Sequence, residues 1–177
     1  MESRYNRTAR SLHWLIAVLL LGQFVFGWWL GDIPRNTPAR GYYVNLHKST
    51  GMLIGLLILL RVVWRIKHSA PPLPASLPRW QHWLAAASHH GMYLCMVVMP
   101  LSGYLASNFS KHGVKFFNTF LLPPWGSDDK QLYAVFNQTH KITAVVLLGL
   151  VVLHVLAALQ HGLRRDGIIS RMWIRPF

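Results

Sequence analysis

The sequence predicts an all-α integral membrane protein, a bundle of four transmembrane helices with both termini in the cytoplasm. Three observations predict it: the composition, four long stretches without charged side chains, and an uneven distribution of Lys and Arg between the connecting segments. Of the 177 residues, 53% are hydrophobic and 13% are charged, whereas a soluble domain has about 25% charged residues. The net charge of +13 is not expected to serve nucleic-acid binding, because the cations lie between apolar stretches rather than along polar helices.

The first two predicted spans cover about residues 11–31 and 44–64. The first has 21 residues without Asp, Glu, Lys or Arg, and a bilayer crossing needs about 20. It ends in the aromatic pair Trp28–Trp29 rather than in a small-residue cleavage site, which favours a transmembrane helix over a signal peptide. The second span has Lys48 near one end and Arg61 near the other, positions from which long side chains extend to the membrane surface.

The third and fourth predicted spans cover about residues 83–107 and 140–163. The third lies in an uncharged stretch that contains Pro100, which predicts a kink or an irregular helix end. The fourth is bounded by Lys141 and Arg164. Four crossings place both termini on the same side of the membrane.

The distribution of basic residues predicts which side that is. Eleven basic residues lie in the N-terminus, the second connector and the C-terminal tail, and seven lie in the first and third connectors with their helix ends. The positive-inside rule therefore favours cytoplasmic termini. With three aspartates, the outer side still carries a net charge of +4. The inner set is Arg4, Arg7, Arg10, Arg61, Arg65, Lys67, Arg79, Arg164, Arg165, Arg171 and Arg175, and the outer set is Arg35, Arg40, Lys48, Lys111, Lys115, Lys130 and Lys141.

Two connectors have compositions that predict their conformation. Residues 70–78 are rich in proline, which indicates a stiff, extended linker. Residues 115–126 are too apolar for a free loop, and we expect them to lie in the outer membrane interface.

Metal chemistry in this sequence must rest on histidine. The single cysteine, Cys95, excludes an intrachain disulfide, a Cys-x-x-Cys-His haem attachment, a thiolate zinc site and a four-cysteine iron–sulfur cluster. Most of the ten histidines lie in or beside apolar stretches, where an ionisable residue is costly and is a candidate for function.

Four of these histidines indicate two layers of one bundle. His140 and His154 are 14 residues apart, which places them within about 40° of one helix face and about 21 Å apart along it. His47 matches His140 in depth, since each precedes a lysine at the outer end of a helix, and His13 enters the first helix from inside. Two imidazoles from facing helices can bind one haem iron, whereas a structural zinc ion needs four ligands at one point. The pattern therefore favours haem.

The inner layer has more candidates than one iron can use. There, His89, His90 and His161 compete with His13 and His154 for two axial positions. A small residue follows each of the four suspected ligands after one helical turn, which would leave room for a macrocycle; these residues are Ala17, Gly51, Ala144 and Ala158. Gly51 and Gly55 also form a Gly-x-x-x-Gly pattern, which equally indicates close helix packing.

These motifs together resemble one known family. Arg-x-x-His13-Trp-Leu lies near the N-terminus, Leu46-His47-x-x-x-Gly51 opens the second helix, and His140 and His154 lie on the fourth. The chain resembles the bacterial cytochrome b-561 family over essentially its whole length. The resemblance implies a single di-haem domain over residues 1–177, multi-pass in the bacterial inner membrane, with two b-type haems. It also implies that His47 and His140 hold the outer haem and that His13 and His154 hold the inner one.

The resemblance further implies an activity. The best-understood members are superoxide oxidases, superoxide:ubiquinone oxidoreductases that pass electrons from superoxide outside to ubiquinone in the membrane. The alternative is a non-catalytic electron-carrier or membrane-anchor subunit of a larger dehydrogenase. The connectors are short, so the expected partners are superoxide, ubiquinone and the lipid bilayer, without an obligate protein partner.

The residues suggest where each substrate would bind. Lys111, Lys115 and Arg40 on the cationic outer side would attract a small anion, although one or two of these cations would also suffice to pair with haem propionates. His161 lies about 10 Å nearer the cytoplasm than His154 on nearly the same helix face. We predict that it donates a proton to ubiquinone, with His89 as a second candidate at that site.

Overall fold

The computed structural model describes residues 4–74 and 77–173, which form four long helices, a small hairpin and a short 3-10 helix. The middle of the proline-rich connector, residues 75–76, and the cation Arg175 lie outside the described residues. In chain order the elements are α1 (Arg7–Trp29), α2 (Pro38–Lys67), α3 (Arg79–Asn108), β1 (Val114–Phe116), β2 (Phe120–Leu122), α4 (Lys130–Arg164) and the 3-10 helix (Ile169–Arg171).

All four helices are long and apolar enough to cross a membrane. The prediction of four membrane-crossing helices is therefore confirmed. Each helix also continues past its predicted span at one or both ends, most of all α4, which begins ten residues before His140. Polar caps mark the starts of α2 and α4. The Asp129 carboxylate accepts from the backbone N–H groups of Gln131 and Leu132 at the start of α4. The Thr37 hydroxyl accepts from the Arg40 N–H, and Pro38 is the first residue of α2.

The helices pack mainly in chain order. α2 packs against α1 and α3, and α3 packs extensively against α4. α2 and α3 approach closely at Gly55, where an added Cβ would lie 3.3 Å from Pro100, so this glycine serves close helix packing. In the described residues α4 meets α1 and α2 chiefly through side chains rather than through close backbone packing.

The buried core lies midway along the bundle. It contains residues from all four helices: Ile16, Leu20, Ile54, Ile58, Met92, Met99 and Leu147. Leu147 is fully buried and lies seven residues from both His140 and His154, about 10 Å along the axis from each. An apolar layer therefore separates the two ends of the bundle.

The apolar segment after α3 forms an antiparallel hairpin against the end of α2 that carries His47, which is the end predicted to face outward and is named the outer end. Phe116 pairs with Phe120 across the turn, and Phe117 and Asn118 in the turn have positive φ angles. The hairpin is fixed to α2 by two polar side chains. The buried Ser49 hydroxyl accepts from the Phe117 N–H at 2.8 Å, and the Asn45 amide donates to Asn118 Oδ1 at 3.1 Å.

Candidate functional site

The outer end of the bundle brings His47 of α2 and His140 of α4 together. Their ring centroids are 6.2 Å apart, with the ring planes nearly perpendicular. A hydrogen bond fixes the orientation of the His140 ring, since its Nδ1–H donates to the Met99 carbonyl at 2.7 Å. Nδ1 of His47 is buried and has no hydrogen-bond partner among the described residues. A backbone partner on Nδ1 leaves Nε2 of His140 as the nitrogen available to a metal.

Two glycines make room for these rings. A Cβ at Gly103 would lie 2.9 Å from His140 Nδ1, and one at Gly27 would lie 3.1 Å from His47 Cε1. These glycines come from the helices that face the ligand pair, α3 and α1, rather than from the turn that follows each histidine. A Cβ at Gly51, by contrast, would meet the Gln23 side chain at 3.4 Å, so no contact with the His47 ring accounts for this glycine.

The inner end brings three histidines together. His154 of α4 has its ring centroid 6.2 Å from that of His13 on α1 and 5.5 Å from that of His89 on α3. His90, the neighbouring candidate, instead hydrogen-bonds the Ala86 carbonyl on its own helix through Nδ1. The inner layer thus contains one pair with the same separation as the outer pair, and one additional imidazole.

Arg61 of α2 joins this inner cluster. Its side chain turns into the bundle, where Nη1 donates to the Ala9 carbonyl at 3.0 Å and Nη2 lies 3.3 Å from Nδ1 of His13. The segment after α4 closes the same end, because the Trp14 indole donates to the Met172 carbonyl at 2.9 Å and its ring contacts that of Trp173.

Both pairs fit a metal held between two imidazoles. Metal–imidazole bonds are about 2.0 Å long, so two in line place the ring centroids about 6 Å apart. The observed 6.2 Å matches this at both levels. Each pair would supply two ligands to an iron, and a haem would supply the others from its porphyrin. In the described residues, no three His, Cys, Asp or Glu side chains are grouped to hold a bare metal ion.

The predicted anion-attracting residues have different surroundings. Lys111 is exposed and lies 3.6 Å from the Asp128 carboxylate, and Lys115 is exposed on β1. Arg40 is partly buried, and its guanidinium donates to the Leu30 and Ile33 carbonyls. Arg40 therefore fixes the end of α1, and of these three residues Lys111 and Lys115 are open to solvent.

His161, the predicted proton donor, has an acidic partner. Its Nδ1 lies 2.5 Å from the Asp166 carboxylate, and the side chain is largely covered. Burial alone would raise the pKa of Asp166, but the hydrogen bonds from His161 and from the Ile168 N–H lower it below its ordinary value. The carboxylate is thus charged at neutral pH and holds the imidazole in one orientation.

The sequence alone did not identify three of these residues. The position of Arg61 at a span end indicates only a membrane-surface cation, and nothing in the sequence links Asp166 to His161 or Gly103 to His140. A charged residue at a span end and a glycine within a span are the only local signals, and both are common in membrane helices.

The fold and the paired histidines define a class: membrane bundles that hold haem between helices. Comparison with known proteins agrees. The family described as Prokaryotic cytochrome b561 matches residues 4–174, and the chain belongs to this family, whose members are multi-pass bacterial membrane proteins that bind b-type haem and transfer electrons. Three relatives are similar over nearly their whole length. The chain is 30% identical to cytochrome b561 homolog 2 of Escherichia coli, over 96% of this chain and 90% of the relative. It is 23% identical to cytochrome b561 homolog 1 of the same organism, over 98% of both. It is 27% identical to cytochrome b562 of Cereibacter sphaeroides, over 99% of this chain and 98% of the relative.

Proposed function

We propose that this cytochrome moves electrons across the membrane from superoxide at its outer end to ubiquinone at its inner end. The observation that carries the proposal is the pair of histidine sites, each with ring centroids 6.2 Å apart, on either side of the buried core. In this assignment His47 and His140 hold the outer haem, and His13 and His154 hold the inner one. Bound haem supplies one-electron redox chemistry at each level.

The direction of crossing rests on the topology. The excess of basic residues in the terminal segments and the second connector favours cytoplasmic termini, with the inner site at the cytoplasmic side of the membrane. The outer site and its hairpin then face the opposite compartment. His140 and His154 are 14 residues apart on one helix, so the electron crosses about 21 Å along the bundle axis.

The outer end is suited to an anion. Lys111 and Lys115 are exposed on or beside the hairpin, which is docked on the helix that carries His47. A cationic surface of this kind raises the encounter rate of a small anion. Each superoxide that gives up one electron here leaves as dioxygen.

The inner end is suited to proton delivery. Reduction of one ubiquinone to ubiquinol consumes two electrons, from two superoxide anions, and two protons from the cytoplasm. His161 is positioned by Asp166 on the α4 face of His154, about two turns nearer the cytoplasm. His89 is the additional imidazole beside the inner pair. Both are assigned to the quinone site.

The activity is tested by mixing the purified, oxidised protein with superoxide and following the haem absorbance by stopped flow. We expect haem reduction well above the rate set by spontaneous dismutation. It should slow as salt is raised, because interactions between exposed charges are screened over about 8 Å at physiological ionic strength. The double variant Lys111→Glu, Lys115→Glu should slow it about tenfold or more at low salt.

The matched control for this charge change is Lys67→Glu with Arg7→Glu, two exposed cations at the other end of the bundle. These substitutions should leave the superoxide rate unchanged. A protein with both haems bound whose reduction by superoxide is no faster than spontaneous dismutation would contradict superoxide as the electron donor. It would favour the role of an electron-carrier subunit.

The outer ligand assignment predicts that Gly103→Ala weakens haem binding. The added Cβ would lie 2.9 Å from His140 Nδ1, and the Met99 carbonyl prevents the ring from turning freely. Overpacking of this kind costs about 1–3 kcal/mol, so the purified variant should contain less haem per chain than the native protein. Gly149→Ala, the same change at a position of α4 where nothing lies within 4 Å of the new Cβ, should retain full haem content. Equal haem content in both variants would contradict the placement of His140.

A further inference from the structure

The inner and outer histidine sites differ in whether a charged group contacts a histidine ring. At the inner site, Nη2 of Arg61 lies 3.3 Å from Nδ1 of His13. The other nitrogen, Nη1, is held by the Ala9 carbonyl at 3.0 Å, which keeps the guanidinium beside the ring. An arginine stays protonated in a protein, so this site contains a fixed positive charge.

At the outer site the corresponding contact is neutral. His140 Nδ1–H donates to a backbone carbonyl, that of Met99. Lys48, the cation next to His47 in sequence, has its amine 3.0 Å from the Gly113 carbonyl, before the hairpin. Arg40 is likewise engaged by the Leu30 and Ile33 carbonyls. Each of these outer cations is thus bonded to a loop or helix-end carbonyl rather than to a ligand ring.

These two contacts act in opposite directions on a bound iron. A carbonyl that accepts the Nδ1–H of a ligand increases the basicity of that imidazole, which favours the oxidised iron. A positive charge close to the ligand in a water-poor site favours the reduced iron, because reduction removes one positive charge from its surroundings. These contacts would therefore lower the reduction potential of an iron held at the outer site and raise that of an iron held at the inner site.

We infer that the charge of Arg61 raises the reduction potential of the inner haem above that of the outer haem. Electrons therefore pass from the outer to the inner layer. This inference rests on the proposed assignment of one haem to each histidine pair. The residue acts through its charge and does not ligate the iron. Among the described acidic residues, only Asp166 lies at the inner end, and it is engaged with His161.

The first test uses the ligand variants and does not alter Arg61. His47→Ala should retain only the inner haem, and His13→Ala only the outer one. Potentiometric titration followed by visible absorbance should give the higher midpoint potential for His47→Ala and the lower for His13→Ala. The reverse order would overturn the inference and leave the ligand assignment intact, whereas loss of both haems in either variant would count against the assignment itself.

The second test changes the charge directly. Arg61→Gln keeps a hydrogen-bond donor but removes the charge, and should lower the inner potential by at least the equivalent of a tenfold change in the reduction equilibrium, about 59 mV for one electron. Arg61→Lys should restore most of the shift. Lys67→Gln, an exposed residue of the same helix with the same change in net charge, should leave both potentials unchanged.

A structural role for Arg61 predicts a different pattern. If its contact with Ala9 only joins α1 to α2, the Gln and Lys variants should lose haem or stability together without a shift in the remaining potential. An Arg61→Gln protein with two haems and native potentials would overturn the inference, since it would show that the charge is cancelled within the site.

Discussion

Replacing either outer histidine will remove one haem and leave the other. His47→Ala and His140→Ala should each yield protein with about one haem per chain, where the native protein should have two, because a haem that loses one axial imidazole is also left with a cavity in its place. His13→Ala and His154→Ala should remove the inner haem in the same way. The pyridine haemochrome assay on purified protein measures the haem content directly. Release of the haem by acid and organic solvent should be complete, because no Cys-x-x-Cys-His motif attaches it.

The three-histidine cluster at the inner end makes the control variants informative. His82→Ala should keep both haems, since His82 contacts the Pro74 carbonyl in the connector. His89→Ala should also keep both, although the His89 ring lies even closer to His154 than the His13 ring does. Loss of haem from His89→Ala, with retention in His13→Ala, would show that His89 is the partner of His154.

The second large effect is expected at the quinone end. His161→Ala should leave haem reduction by superoxide at the native rate and reduce ubiquinol formation about 100-fold, within the range by which general acid catalysis contributes. The reason is that both haems remain ligated, while the proton donor next to the quinone is removed. Asp166→Asn should give a smaller decrease, because the imidazole remains but loses the carboxylate that orients it.

The control for this prediction is His90→Ala, which removes an exposed imidazole from the same end of the bundle. It should leave both the reduction rate and the quinol yield at native values. If His161→Ala formed quinol at the native rate, the proton would have to come from another group, and His89 would be the next residue to replace.

Much of the architecture was predictable because a bilayer imposes simple rules on sequence. Four apolar stretches of sufficient length gave the four helices, and the spacing of His140 and His154 on a regular helix gave two layers on one face. The helix ends were less predictable from hydropathy. They depend on caps such as Asp129 and Thr37, which lie outside the apolar stretches.

The residues that surround the ligands were not predictable in the same way. Arg61 reaches His13, and Gly103 makes room for His140, across helices that are far apart in sequence. Such pairings depend on how the helices are rotated and packed, which no periodicity within one segment specifies. Arg40 shows the converse: its position on the outer side suggested attraction of an anion, and its contacts show a helix-end role.

The most direct test of the proposed function is the yield of ubiquinol per superoxide in sealed proteoliposomes that contain ubiquinone. Superoxide is generated in the outer solution, and quinol is measured against liposomes that carry the His47→Ala variant. We expect one ubiquinol for every two superoxide anions consumed by the native protein, and only the background level of ubiquinol with the variant. Native protein that gives no more ubiquinol than the His47→Ala liposomes would contradict transfer of electrons from superoxide to the quinone through the paired histidine sites.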